Sequence, residues 1–211
     1  MEALEKSSLK QITIRIPNWY GLHRPYNLTL YPGITVLVGK NGSGKTTLLK
    51  QVREYCNKNG YKYFEYSDMR NGRSNGMELA LLHEDFNMVS TLFDSSEGQN
   101  VYNNFAYSLS KMGKFVREVP EDKPSFILLD SIDSGLSIDL IREIKSFFNE
   151  VLLDEIKDKE IYILVTTNQY EFTIGYRCIN VKNGKDVIFK TYNSYSKFIC
   201  RKPRTKKKKE E

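Results

Sequence analysis

Gly39-Lys40-Asn41-Gly42-Ser43-Gly44-Lys45-Thr46-Thr47 is the stretch on which the fold turns. Ile34-Thr35-Val36-Leu37-Val38 stands before it, a short apolar, β-branched run that reads as a buried strand. Leu48-Leu49-Lys50-Gln51-Val52 follows and begins a helix. Strand, glycine-rich turn and helix is the context that makes G-x-x-x-x-G-K-T a phosphate-binding loop rather than a chance turn. Its glycines let backbone N–H groups converge on a β-phosphate, and the helix N-terminus adds partial positive charge. Lys45 is placed to reach the β- and γ-phosphates, and the Thr46 hydroxyl to ligate Mg²⁺. Asn41, Gly42, Ser43, Gly44 and Thr47 complete the expected cradle for a nucleoside triphosphate.

Working outward, composition narrows the class. The chain has 211 residues, 40% of them hydrophobic, enough for one large or two small domains with a real core. No apolar run approaches the ~18–20 residues of a membrane helix, and Met1–Lys6 lacks an apolar segment of the secretory kind. Cys56, Cys178 and Cys200 lie far apart and read as reduced thiols of a cytoplasmic protein, not a disulfide framework. His23 and His83 are too separated for a metal site. The net charge is +6, but Arg201–Glu211 alone carries seven Lys or Arg against two Glu. The body is therefore nearly neutral. Residues 201–211 read as a disordered basic tail, either solubilising or a contact for nucleic acid or an acidic partner.

Periodicity supplies the rest of the architecture. Gln11–Ile16 and Asn27–Tyr31 alternate with period two, as half-buried strands do, and Lys62–Tyr66 forms another strand after the first helix. Helical spacing runs from Met77 to about Phe93 and again from about Gly98 to Val116. Ser125–Asp130 is a continuous apolar run closed by an acid. Leu140 to Ile156 returns to helical spacing, with Ser137 as N-cap. Ile161–Val165 is one more buried strand, and Asn183-Gly184 signals a two-residue hairpin between Arg177–Lys182 and Asp186–Thr191. Strands alternating with helices imply an α/β, three-layer P-loop NTPase fold. Its sheet is expected to be mostly parallel, with helices on both faces and an antiparallel edge from the strands preceding the loop. One domain over residues 1–200 is expected, with a helical insertion at about 74–118. Asp130 fits the acid that holds Mg²⁺ from the strand neighbouring the phosphate loop.

From here the chain resembles the ABC-type ATPases, in their small soluble branch similar to SMC and RecF heads. Asp133-Ser134-Gly135-Leu136-Ser137 looks like that family's D-loop, and Ser95-Ser96-Glu97-Gly98-Gln99 like its Leu-Ser-Gly-Gly-Gln signature. The resemblance implies adenine stacking on Tyr20 and γ-phosphate binding across a dimer by Ser96, Gly98 and Gln99. It also puts Asn168, at the end of Thr166-Thr167-Asn168, where the family has its switch histidine. The order of motifs runs from about Ile12 to Phe189.

The chain departs from that pattern in four places. Ser131 stands where the catalytic Glu is expected, and a serine hydroxyl without an activator is no general base at neutral pH. Asp133 is the nearest carboxylate that would orient the attacking water. Asn168 can hydrogen-bond a γ-phosphate or a water but takes up no proton. No glutamine follows the Lys62–Tyr66 strand, so Ser67 or Asp68 would serve there. Finally, only about fifty residues separate Lys45 from Ser96, too few for the helical arm of transporter subunits.

The resemblance thus implies ATP and Mg²⁺ as ligands, slow ATPase chemistry and an ATP-dependent homodimer working as a switch in a DNA-related, defence or mobile-element process. The alternatives are an ATP-loaded module that docks on a larger protein with negligible hydrolysis, and a transporter's nucleotide-binding subunit.

Overall fold

A computed structural model describes residues 10–18, 24–67, 97–134 and 136–200, with side chains from 107 onward in the helix that starts at Glu97. Tyr20, His23, Asp68, His83, Ser96, Gly135, the expected Met77–Phe93 helix and the basic tail lie outside the described residues.

Six strands form the central sheet: β3 (Gly33–Val38), β4 (Lys62–Ser67), β5 (Ser125–Asp130), β6 (Ile161–Thr166), β7 (Arg177–Asn180) and β8 (Lys185–Val187). Their order is β4-β5-β6-β3-β7-β8, parallel throughout except for the β7/β8 pair. β5 and β6 are buried at every position because both faces of the sheet are covered, which is why they read as unbroken apolar runs. Their period of two still sorts the side chains. Phe126, Leu128, Tyr162, Leu164 and Leu37 face α1 (Lys45–Asn59) and the hairpin of β1 (Ile12–Ile16) and β2 (Tyr26–Leu30). Ile127, Leu129, Ile163, Val165 and Val36 face α2 (Glu97–Glu118) and α3 (Ile138–Phe147). The first face is stitched by aromatic stacking, with Phe126 and Tyr162 5.1 Å apart at 21°. Truncating Phe126 to Ala would cost about 3–5 kcal/mol as transfer and cavity terms.

Helix ends follow their local chemistry. Ser137 caps α3 by accepting the Leu140 N–H at 3.4 Å. Beyond Phe147 the helix passes through a π turn, Phe148–Leu152, into a final turn α4 (Leu153–Ile156). The C-terminal helix α5 (Tyr192–Ile199) opens with a capping box between Thr191 and Ser194.

The arrangement corrects three sequence expectations. β1 and β2 do not extend the central sheet. They pair with each other as a separate antiparallel sheet, and the antiparallel edge is supplied by β8. The small sheet docks instead through side chains: Tyr26 Oη donates to Val181 O at 2.7 Å, and Arg177 donates to Thr29 O at 2.8 Å. The β7–β8 connection is longer than two residues, since Asn180 pairs with Lys185. Gly184 (φ +67°) provides its left-handed corner, and a Cβ there would stand 2.5 Å from the Tyr26 ring. Lastly, the strand ending in Asp130 is not the neighbour of the strand before the phosphate loop. β6 lies between β5 and β3.

Candidate functional site

The parallel strands β3, β5 and β6 end together, and their C-terminal loops converge, the usual ligand position in an open α/β sheet. Asn41, Gly42, Ser43, Gly44, Lys45, Thr46, Thr47, Ser131 and Asn168 line a cavity of about 250 Å³ there. Segments separated by more than eighty residues of sequence are thereby brought together.

On one side is the loop after β3. Gly42 (φ 73°) and Gly44 (φ 95°) adopt left-handed backbone that other residues enter only with strain. Gly39 packs so closely on Ser43 and Val181 that a Cβ would collide with the Ser43 hydroxyl. Gly44 also serves as N-cap of α1, with no side-chain cap and no acidic residue in the first turn. The first hydrogen bond of α1 runs from Leu48 N to Gly44 O at 2.8 Å. The N–H groups before it therefore have no partner within the helix and carry its positive end. Ser43 Oγ is buried with no hydrogen-bond partner. Donors with no acceptor, gathered at a helix N-terminus, suit an anion.

Lys45 bridges to the other side. Its ammonium donates to Gly39 O and to Asn168 Oδ1, each at 2.8 Å. Burial pulls its pKa down, while the charges of Asp133 and Asp130 act in the opposite sense.

That other side is a relay of polar contacts. Thr166 Oγ1 donates to Asp130 Oδ1 at 2.6 Å and accepts the Ser131 N–H at 2.8 Å. Ser131 has φ 55°, the one positive value outside glycine among the described residues. The Asn168 N–H donates to Asp133 Oδ2 at 2.8 Å. Asp133 is 7% exposed, and burial raises its pKa, opposed by hydrogen bonds from backbone N–H groups, by the Thr167 hydroxyl and by the Lys45 charge. The Thr167 hydroxyl is the side-chain donor beside this carboxylate, although no bond of good geometry reaches Asp133 Oδ1.

The sequence-derived residues thus divide. Asn41 to Thr47, Ser131 and Asn168 meet at the cavity. Asp130 and Asp133 are not among the residues that line it; Asp130 adjoins the lining residue Ser131 in the chain, and Asp133 is joined to the cavity by the hydrogen bond from the Asn168 N–H. Gly98 and Gln99 lie in the first turn of α2, which begins at Glu97. Sequence reasoning missed Thr166 as the residue that orients Asp130. Its signal was a polar residue closing the apolar run Ile161–Val165.

The family model described as ABC transporter matches residues 23–165. The methionine import ATP-binding protein MetN 1 of Pectobacterium atrosepticum is 30% identical over 104 residues, 49% of this chain and 30% of that protein. The match thus spans under a third of the relative's length. Among solved structures, Cdc6p from Pyrobaculum aerophilum is similar at a TM-score of 0.35 and 19% identity, over 68% of this chain and 34% of that one.

Proposed function

The chain belongs to the ABC transporter family, and from that premise we propose that it is an ATP-dependent dimerisation switch with slow hydrolysis. The observation that carries the reading is the cavity beside the uncapped N-terminus of α1. One wall offers backbone N–H groups, Ser43 and Lys45 to a triphosphate, and the other offers Ser131 and Asn168. Thr46 and Asn168 are exposed at its rim, as suits a half-site that a second subunit covers. In the second copy, Ser96, Gly98 and Gln99 would close over the γ-phosphate, and Tyr20 would stack on adenine.

Mg²⁺ fits the donors present. Thr46 offers a hydroxyl and Asp130 a carboxylate whose Oδ1 is already oriented by Thr166. One carboxylate and one hydroxyl suit a cation that keeps waters and takes its remaining ligands from phosphate oxygens. Bound there, it would neutralise charge on the β- and γ-phosphates.

The chain's own residues divide the remaining work. Lys45 exchanges its contact with Asn168 for phosphate oxygens as the nucleotide enters. Asn168, freed, holds the γ-phosphate or the attacking water with its side-chain amide, and Asp133 keeps Asn168 in place by accepting its N–H. Ser131 adds a hydroxyl at the position where the family pattern has a glutamate. With no carboxylate facing the water, hydrolysis is slower by the ~10²–10⁴ that a well-placed general base supplies.

Light scattering on the purified chain tests the switch. A dimer is expected with saturating Mg-ATP and a monomer without it, and a monomer in both conditions overturns it. The ABC transporter match and the relative's printed role in methionine import favour a second reading, a transporter's nucleotide-binding subunit. ATP-dependent self-association without any membrane protein, with turnover stimulated by DNA, supports the soluble switch in a DNA-related or defence process over that alternative. Residues 1–200 act in this proposal as one domain with a helical insertion, and 201–211 as a basic tail available to nucleic acid. Among the described residues no helix is long and apolar enough to cross a membrane.

A further inference from the structure

The backbone pairing of β5 with β6 stops just short of the cavity. Its last register pair is Leu129 with Val165, so Asp130 and Thr166 each stand one residue beyond it. A side chain takes over there, since the Thr166 hydroxyl donates to Asp130 Oδ1 at 2.6 Å and accepts the Ser131 N–H at 2.8 Å. We propose that Thr166 is a positioning residue for both neighbours at once. Its one hydroxyl fixes the orientation of Asp130 for Mg²⁺ and keeps Ser131 in its left-handed conformation, so that the metal position and the cavity wall are coupled. The inference rests on the nucleotide-site reading above and deepens it.

Three observations converge. The first is the direction of the bonds. A backbone N–H only donates and an ionised carboxylate only accepts, so the single proton of the hydroxyl goes to Asp130. Thr166 is fully buried and Asp130 nearly so, and bulk water does not compete for these atoms. The second is the anchor behind the hydroxyl. Thr166 continues the parallel register of β6 with Leu37 of β3, the strand that leads into the phosphate loop. The third is Ser131 itself, whose φ of 55° is a conformation that persists only where the surroundings over-determine it. The bond to Thr166 does so from one side, and a turn bond from Ser134 N to Ser131 O at 3.1 Å does so from the other. Ser131 lines the cavity, whereas neither Asp130 nor Thr166 does. A change at Asp130 thus has a route to the cavity through Thr166 besides the peptide bond to Ser131.

Two substitutions separate the hydroxyl from the side chain's shape: Thr166→Val removes it, and Thr166→Ser keeps it. Calorimetry on the full chain should show Thr166→Val binding Mg-ATP about tenfold or more weaker, the usual cost of losing a hydrogen bond to a metal-ligating carboxylate. Its affinity for ATP in EDTA should match the native chain, and Thr166→Ser should restore the affinity for Mg-ATP. A merely structural threonine would move both affinities together or neither. Thermal unfolding reads the Ser131 side of the coupling. Ser131→Gly should raise Tm by about 2–4 °C in the native chain, by relieving strain. In a Thr166→Val background it should leave Tm unchanged or lower it, because Ser131 released from the bond has already left the strained region. Unchanged affinity of Thr166→Val for Mg-ATP, an equal loss with and without Mg²⁺, or the same Tm gain in both backgrounds overturns the inference while leaving the nucleotide site standing. A native chain that binds no ATP under either condition ends the nucleotide-site reading and the metal half of the inference with it, and the Tm comparison then decides alone whether Thr166 holds Ser131.

Discussion

The cavity has two walls, and they are held by different physics. The Gly39–Thr47 wall is a contiguous stretch of chain, and most of what it offers is backbone: turned N–H groups, left-handed glycines and an uncapped helix end. The Ser131–Asn168 wall is assembled from loops after β5 and β6, joined by side-chain hydrogen bonds across 35 residues of sequence or more. The first wall tolerates little substitution of its glycines but needs few partners. The second depends on its partners, because the Thr166 hydroxyl and the Asp133 carboxylate hold Ser131 and Asn168 through their backbone N–H groups. If the first wall binds the nucleotide and the second serves its hydrolysis, as proposed, the two are separable, and variants should expose the seam between them.

The largest effect belongs to the phosphate-loop wall. Lys45→Ala removes the charge-assisted contacts to phosphate, and calorimetry should record ATP binding weaker by more than about 10²-fold. Retained affinity would mean that the backbone cradle suffices alone. On the opposite wall, Asn168→Ala should cut turnover roughly 10²-fold, the typical loss of one preorganised donor. Affinity for Mg-ATP should move far less, within about tenfold. Equal losses in both quantities would erase the division between the walls.

Asp133→Asn should have a smaller effect, about tenfold on turnover, because the variant's amide oxygen can still accept the Asn168 N–H. It also carries a pH signature. Burial raises the Asp133 pKa above its ordinary value of 3.8. The folded state then holds that proton more tightly than the unfolded chain. The stability it contributes is full below the ordinary value and lost as pH rises through the raised one. Asparagine does not titrate, so the Tm of Asp133→Asn relative to wild type should climb across that window and level off above it. A flat difference would place the carboxylate in a better solvated setting. Smallest of all, Ser131→Gly should raise Tm by about 2–4 °C, since glycine relieves a left-handed serine worth ~1 kcal/mol.

Much of this molecule was legible before its structure. The alternation of β1 and β2, the unbroken runs of β5 and β6 and the Ser137 cap each report a local environment, and each was read correctly. What failed was adjacency. Period two says that Ile12–Ile16 is half-buried, but not whether it joins the central sheet or forms its own. An apolar run closed by Asp130 says that an acid ends a buried strand, but not that β6 intervenes before β3. Asn183-Gly184 marks a turn correctly, yet the strand pairing that sets its length depends on where Gly184 meets Tyr26.

By itself, then, the sequence determined the phosphate loop, the helix it opens and the α/β class. Those follow from neighbours along the chain and from backbone chemistry that one contiguous motif contains. The tertiary structure alone decided the strand order, the left-handed Ser131, the Thr166–Asp130 contact and the tether from Asp133 to Asn168. Each of these is a through-space contact or a conformation imposed by packing. Hydrogen bonds of 2.6–2.8 Å between residues 35 or 36 apart leave no periodic trace in the chain that makes them.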